Sequence, residues 1–211
     1  MKHANVSVFV PHAGCPHQCS FCDQRAISGA QAAPDGAAVA ALCARAEKEL
    51  AQKGRTAQIA FFGGSFTAVP RAYMIELLEA ARPFLGRGVF TGVRISTRPD
   101  CIDDETLGTL VRYGVTAVEL GAQSMDDAVL SQNGRGHTAA DTNRASALVR
   151  AHGLELGLQM MTGLYGANEA SDLMSARLIA ALMPATVRVY PTLVLEGTRL
   201  AALWRAGLYR P

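Results

Sequence analysis

Three cysteines lie within one short segment near the start of the chain. Cys15, Cys19 and Cys22 belong to the stretch CPHQCSFC, which has the spacing CxxxCxxC. A structural zinc site normally has four protein ligands, and disulfides use thiols in pairs. Three clustered thiols match neither pattern directly. With a total of 5 cysteines, the chain is typical of a reducing compartment, where thiols serve metals or catalysis.

The same spacing suits an iron-sulfur cubane. Three thiolates can bind three irons of a 4Fe-4S cluster and leave the fourth iron without a protein ligand. Clusters that only transfer electrons have four cysteine ligands, so a missing ligand indicates a site for an external chelator, as an open position does on zinc. The alternative is a zinc-binding adaptor in which His12 or His17 supplies the fourth ligand.

The elements that must position these thiols alternate regularly along the chain. The predicted strands are 5–11, 58–62, 92–97, 117–120, 155–161 and 186–191. The predicted helices are 35–53, 71–84, 104–113, 126–132, 139–152 and 168–182. Such β-α units in series favour parallel strands with crossover helices, in a barrel-like or an open parallel sheet.

Polar or glycine-rich segments follow the predicted strands. In these folds the residues that do chemistry lie at the carboxyl ends of the strands. The cysteine cluster follows the first strand, and the later strands run into FFGGSFT at 61–67, STRPD at 96–100, GAQS at 121–124 and MTGL at 161–164. We therefore expect these segments to meet at one edge of the sheet.

Alternation along the strands places charged residues on one face. Arg94, Glu119 and Arg188 lie on the polar face, and the opposite face carries Val93, Val118, Leu158, Val187 and similar apolar residues that suit packing under helices. Buried arginines and a buried glutamate would need one another as partners. They form either a satisfied internal salt-bridge layer or the lining of a functional lumen.

Composition excludes several classes of partner. The 211 residues are 49% hydrophobic and carry a formal charge of +2, with no dense basic run that would track phosphates. No run approaches the roughly 20 apolar residues of a membrane span, and the N-terminus lacks a signal pattern. We expect a single cytoplasmic domain with no membrane partner.

The cysteine motif and the later segments resemble the radical S-adenosylmethionine (SAM) enzymes. Their signature is CxxxCx(aromatic)C after the first strand, which Cys15, Cys19, Phe21 and Cys22 match. FFGGSFT resembles the family's glycine motif, and VELGAQSMDDAVLSQNGRGHT at 118–138 resembles a block shared by the Elongator catalytic-subunit group and the oxygen-independent coproporphyrinogen oxidase group. The first group is the more similar, through GGSFT, STRPD and QMMTGL. The resemblance implies an α/β fold, a partial (β/α)6 TIM-like barrel with parallel strands.

The resemblance also implies roles for individual residues. Cys15, Cys19 and Cys22 would ligate a 4Fe-4S cluster whose open iron chelates SAM. Reduction by a flavodoxin- or ferredoxin-like donor would release a 5′-deoxyadenosyl radical that abstracts hydrogen from an unknown substrate, with nucleoside or tRNA modification as the first hypothesis. The residues expected to contact SAM are Phe21, Gly63, Gly64, Ser96, Gln123, Arg135 and Gln159.

The length of the chain leaves a second function open. The chain stops at Pro211, soon after the sixth predicted strand, where relatives continue into a region that closes the barrel. The resemblance therefore leads us to expect a radical SAM core domain over 1–211, either minimal or truncated, and the alternative is a truncated, non-catalytic iron-sulfur or zinc-binding module. Of the remaining thiols, Cys43 is expected in the core and Cys101 in a loop on the active face.

Overall fold

The computed structural model describes residues 4–10, 15–23 and 32–210, and the end of the first predicted strand at Pro11 lies outside them. Six strands form one sheet in the order β1-β2-β3-β4-β5-β6, and every neighbouring pair is parallel. The strands are β1 Asn5–Val10, β2 Ala57–Gly63, β3 Phe90–Thr97, β4 Val115–Gln123, β5 Glu155–Thr162 and β6 Thr186–Pro191. The sheet curls into a half-barrel, which confirms the predicted partial TIM-like barrel.

Helices connect the strands along the outer side of the sheet. They are α1 Gly36–Gln52, α2 Arg71–Ala81, α3 Asp104–Arg112, α4 Asp127–Gln132, α5 Ala139–Ala151, α6 Glu169–Ala181 and α7 Arg199–Arg205. Short 3-10 turns cover Phe66–Ala68, Arg82–Phe84 and Pro99–Cys101. The predicted helix 71–84 therefore changes to a 3-10 turn at Arg82, where Pro83 follows, and α7 is an element that the sequence pattern did not predict.

Local sequence explains where the helices begin. Asp35 accepts a hydrogen bond from the Ala38 amide at the start of α1, at 2.8 Å, and Asp103 accepts one from Thr106 at the start of α3, at 2.7 Å. Thr138 and Asp141 form a reciprocal capping box on α5. Each cap satisfies backbone donors that have no partner within the helix, so each fixes the point at which the chain leaves a strand end.

The core lies between the sheet and the helices. Its sheet side consists of the apolar residues that alternate along the strands, all at most 3% exposed: Ile59, Phe61, Val93, Ile95, Val118, Leu120, Leu158 and Met160. The helices contribute residues such as Leu77, Leu107 and Val149, each 0% exposed, and Cys43 is buried among them as predicted. The prediction was wrong for β6, because Val187 and Val189 are 46% and 58% exposed. None of the helices in the described part of the chain has the length and apolarity that a membrane crossing needs.

Candidate functional site

The segment 15–23, called the cysteine loop below, contacts the loops that follow β2 and β4. The Cys15 Sγ lies 3.7 Å from the hydroxyl of Ser65, a buried residue just after β2. The Cys19 Sγ accepts a hydrogen bond from Arg135 Nη1 at 3.1 Å, and Arg135 follows α4. The sulfurs therefore lie at the carboxyl edge of the sheet, where the order of strands and loops predicts them.

The three thiols affect one another electrostatically. The pKa of Cys22 is raised to about 12, first by burial and then by negative charge on Cys19 and Cys15, while the Arg135 guanidinium opposes the shift. A cationic group bound between them would stabilise their thiolate forms, so the donor set fits a metal cluster.

A site for one metal ion is a different arrangement. Within residues 4–10, 15–23 and 32–210, no three His, Cys, Asp or Glu side chains converge closely enough to hold a single ion. A cubane binds each thiolate to a different iron, so its ligand sulfurs stand farther apart than the ligands of one ion. His17 is exposed and His12 lies outside the described residues, so the zinc-adaptor alternative gains no support from them.

Gly63 and Gly64 bring the end of β2 against the end of β1. Gly63 has a φ of 119°, and a Cβ built on it would lie 2.6 Å from the Val10 carbonyl oxygen. The amide of Gly64 donates to that same carbonyl at 3.0 Å. A side chain at position 63 would therefore need both a strained backbone and a displaced β1, which explains the glycine.

Gln123 and Arg135 come together at the end of β4. Gln123 has a φ of 64°, a left-handed conformation that is uncommon for a residue with a side chain and is found often at functional sites. Its Oε1 is buried without a hydrogen-bond partner among the described residues. Arg135 is 6% exposed, its Nη2 donates to the Gly121 carbonyl at 2.6 Å, and its Nε has no partner there.

Arg98 and His137 extend this buried polar group. Arg98 is 3% exposed, binds both oxygens of Asp100 at 2.9 Å and donates to the Arg135 carbonyl, yet its Nη1 has no partner among the described residues. Asp100 is thus the ion-pair partner of Arg98. His137 Nε2 lies 3.2 Å from the Ala122 carbonyl oxygen, and its pKa is lowered to about 4, chiefly by burial and then by the charges of Arg135 and Arg98.

Buried polar atoms without partners indicate a missing ligand or water, because leaving them unpaired is costly. Four such atoms lie on residues at the ends of β3 and β4 and in the loop after α4, on the side that carries the Cys19 contact: Arg98 Nη1, Gln123 Oε1, Arg135 Nε and His137 Nδ1. Two of the side chains are cationic. This group fits a polar ligand that carries a carboxylate, as SAM does.

Ser96 and Gln159 lie in a different layer, inside the half-barrel. Gln159 Nε2 donates to Glu119 Oε2 at 2.9 Å and lies 3.4 Å from the Ser96 hydroxyl. Glu119 also accepts from Arg94 Nη1 at 3.2 Å and from Arg188 Nη2 at 2.9 Å. The Gln159 amide and the Ser96 hydroxyl therefore have protein partners, and the predicted contact of these two residues with SAM stays a prediction.

The charged face of the sheet is a salt-bridge network. Arg94 is 2% exposed and binds Gln58 at 2.8 Å, Glu119 at 3.2 Å and Glu155 at 2.5 Å. This satisfies the guanidinium, so for Arg94 the internal salt-bridge interpretation is confirmed. Arg188 differs, because its side chain is 36% exposed and its guanidinium also lies 5.0 Å from the centre of the Phe62 ring.

Cys101 lies after β3, as predicted, and the predicted contact of Phe21 with SAM stays a prediction. Phe21 is half-buried in the cysteine loop, and Cys101 is half-buried after β3, where burial and the nearby Asp100 raise its pKa to about 11. The polar residues that hold the loops together were not identified from the sequence: Ser20, Ser65, Arg98 and Asn133. Their only sequence signal is a polar side chain inside a motif or next to a glycine.

Known proteins resemble the chain along most of its length. The tRNA uridine(34) acetyltransferase of Dehalococcoides mccartyi is 28% identical over 239 aligned positions, which cover 98% of this chain and 52% of the relative. Elongator complex protein 3 of Saccharomyces cerevisiae is 26% identical over 183 positions, covering 77% of this chain and 33% of the relative. The chain therefore spans about half the length, or less, of these curated relatives.

Solved structures share the fold. The archaeal Elp3 of Methanocaldococcus infernus, with an N-terminal deletion, superposes with a TM-score of 0.74 at 24% identity, covering 99% of this chain and 50% of that one. Coproporphyrinogen III oxidase of Escherichia coli gives a TM-score of 0.66 at 19% identity, covering 96% and 46%. The family model of the radical SAM superfamily matches residues 9–179, which is most of the sequence. The chain belongs to the radical SAM superfamily of enzymes.

Proposed function

We propose that the chain is the cofactor-binding core of a radical SAM enzyme. Cys15, Cys19 and Cys22 hold a 4Fe-4S cluster, and SAM binds beside it. The observation that carries this proposal is the position of Arg135, which donates to the Cys19 sulfur at 3.1 Å while its Nε remains buried without a partner among the described residues. One side chain thus faces both the cluster ligands and a site that needs an acceptor.

When bound and reduced, the cluster would supply the one electron needed to cleave a carbon-sulfur bond of SAM to methionine and a 5′-deoxyadenosyl radical, which would abstract hydrogen from the substrate. The chain's own residues would bind SAM and orient it. Arg135 offers its unpartnered Nε to the SAM carboxylate, with Gln123 beside it. Gly63 and Gly64 carry no side chains and so let the backbone approach the methionine amino group, and Phe21 packs against the adenine.

Ser96 and Gln159 complete the proposed SAM contacts from within the half-barrel. Gln159 donates to Glu119 and contacts the Ser96 hydroxyl, and these contacts fix both side chains in orientation. A network fixed in this way presents its remaining hydrogen-bonding groups without the entropy cost of ordering flexible side chains.

The names of the relatives supply the substrate class. The relative that aligns with 98% of this chain is named a tRNA uridine(34) acetyltransferase. We therefore propose that the substrate is a nucleoside in tRNA or a small molecule used to modify it. A flavodoxin- or ferredoxin-like protein would supply the electron that the reaction consumes.

The direct test is anaerobic formation of 5′-deoxyadenosine. The protein is reconstituted with iron and sulfide, reduced with dithionite and incubated with SAM, and the product is quantified by mass spectrometry. Wild type should form product, and Cys19→Ala should lose it by about a hundredfold or more, because a cluster without one of its three ligands is not retained. Cys43→Ala is the matched control, since Cys43 is a core thiol that is 0% exposed, and it should keep activity.

The two alternatives give different results. A wild-type protein that shows a 4Fe-4S spectrum but forms no 5′-deoxyadenosine would favour the non-catalytic iron-sulfur module. A protein that binds zinc and takes up no iron would contradict the proposal. If product forms, repeating the reaction with and without tRNA tests the substrate class, because substrate is expected to increase the rate of SAM cleavage.

A further inference from the structure

Ser20 lies in the cysteine loop, between the ligands Cys19 and Cys22, and is 2% exposed. All of its hydrogen-bonding groups have partners far away in sequence. Its amide donates to the Asn133 carbonyl at 2.9 Å, its hydroxyl donates to Asn133 Oδ1 at 2.7 Å, and its carbonyl accepts from the Leu200 amide at 2.8 Å. The loop is therefore fixed at one residue from two sides.

Asn133 is itself held rigidly. It is 0% exposed and ends α4, and its Nδ2 donates to the carbonyls of Val129 and Tyr165, each at 2.8 Å. Both donors and the acceptor of its amide are thus used. Because Tyr165 follows β5, Asn133 joins the loops after three strands, namely β1, β4 and β5.

Leu200 attaches the cysteine loop to the C-terminal helix. Thr198 caps α7, so Leu200 is in the first turn, where its amide has no partner within the helix. The carbonyl of Ser20 satisfies that amide, and Leu200 is 0% exposed. The last described helix therefore contributes to holding the cysteines.

Two glycines in the segment just after Asn133, Gly134 and Gly136, leave room for the cysteine loop. A Cβ on Gly134 would lie 3.1 Å from the Gln18 carbonyl oxygen, and a Cβ on Gly136 would lie 2.3 Å from the His17 ring. Their φ values of 65° and 70° also favour glycine. The cysteine loop and the glycine segment that follows Asn133 therefore lie in direct contact.

We infer that Ser20 and Asn133 form a clamp that fixes the cysteine loop in its ligand conformation before any cluster binds. Ser20 and Asn133 are then positioning residues, and Arg135, between the two glycines, is brought to Cys19 by the same contact. The link to cluster binding rests on the proposed function, whereas the fixed conformation of the loop without a cluster does not.

The first measurement uses the protein without a cluster. Cysteine alkylation rates are followed anaerobically by peptide mass spectrometry in wild type, Ser20→Ala and Asn133→Ala, with Cys101 as the internal reference thiol. Ser20→Ala removes one buried hydrogen bond, so we expect Cys19 and Cys22 to react about tenfold faster, because the loop opens more often. Ser146→Ala is the matched control, since Ser146 is buried and its hydroxyl has no partner among the described residues.

The second measurement uses the reconstituted protein. Iron release to a chelator should be about tenfold faster in Ser20→Ala and Asn133→Ala than in wild type, as for other residues that orient metal ligands. The electron paramagnetic resonance spectrum of the reduced cluster should also change, which a general loss of stability would not cause. Ser146→Ala should match wild type in both readouts.

The results separate the two proposals. Unchanged alkylation of Cys19 and Cys22 in Ser20→Ala would overturn the clamp, whether or not the protein binds iron. A wild type that takes up no cluster would contradict the proposed function, and the alkylation rates would still decide the clamp. If Asn133→Ala does not fold, as circular dichroism would reveal, Ser20→Ala decides alone because it changes a single hydroxyl.

Discussion

His137 is buried next to two arginines, and its imidazole is neutral in the folded chain. Its pKa is about 4, against 6.5 for the exposed group, because of burial and the charges of Arg135 and Arg98, with Asp100 acting in the opposite direction. Below about pH 6.5 the unfolded chain therefore binds a proton that the folded chain does not. The free energy of unfolding must fall as the pH drops from about 6.5 to about 4.

We predict that His137→Gln weakens this pH dependence. Glutamine retains an N–H donor for the Ala122 carbonyl and has no charge to gain. Between pH 7.5 and pH 5, urea unfolding should show that wild type loses about 2 kcal/mol more stability than the variant, the amount that a single site with these pKa values gives. Equal losses in the two proteins would show that the imidazole is protonated in the folded chain.

Individual site residues were predicted from the sequence only where a motif marks them. Cys19 and Arg135 are 116 residues apart, yet the strand-end rule and the motif resemblance place both at one edge of the sheet, and the structure joins them. Ser20 and Asn133 were missed, because a hydrogen bond between residues 113 apart leaves no local pattern. The left-handed backbone of Gln123 was missed for the same reason, since glutamine has no preference for that conformation.

At the level of elements, Glu119 connects its own strand, β4, with strands that lie on either side of β4 in the sheet. It is 1% exposed and accepts hydrogen bonds from Arg94 of β3, Gln159 of β5 and Arg188 of β6. Gly157 is opposite it on β5, where a Cβ would lie 2.9 Å from the Glu119 side chain. Removing one charge from such a buried group leaves the others uncompensated.

We predict that Glu119→Gln lowers the free energy of unfolding by about 3 kcal/mol, because Arg94 keeps its buried charge and loses a carboxylate. Chemical denaturation measures the effect. The matched control is Glu196→Gln, which removes an exposed pair with Arg205 and should change the free energy by about 0.5 kcal/mol or less. Similar losses in the two variants would contradict a special role for the buried network.

The elements themselves were mostly predictable. All six strands of the sheet were predicted, and the ends of β4 were the least accurate, at 117–120 against the observed Val115–Gln123. Apolar alternation marks the buried middle of a strand, whereas Thr116 and Gln123 at its ends carry no such signal. Helix α7, with 7 residues, was missed, whereas α4, with 6 residues, was predicted at 126–132, so length alone does not decide which helices the pattern marks.

At the scale of the whole molecule, the described residues include large apolar side chains that are exposed on β6 and α6. Among them are Leu173, Met174 and Leu178 of α6 and Val187, Val189 and Tyr190 of β6, which are 41% to 58% exposed. Strand β6 is the last of the sheet, and within the described residues no strand pairs with its outer edge. Exposed edge strands with apolar side chains are templates for association between chains.

We predict that Val189→Lys reduces self-association of this chain without destabilising it. Val189 is 58% exposed, so a lysine there should change the free energy of unfolding by about 0.5 kcal/mol or less, and its charge should oppose pairing along the β6 edge. Light scattering over a concentration series and urea unfolding measure the two effects. Val118→Ala is the comparison, because Val118 is 0% exposed on β4 and its truncation should cost about 1 to 3 kcal/mol. A large loss of stability in Val189→Lys would contradict the prediction and would mean that the Val189 side chain is covered in solution.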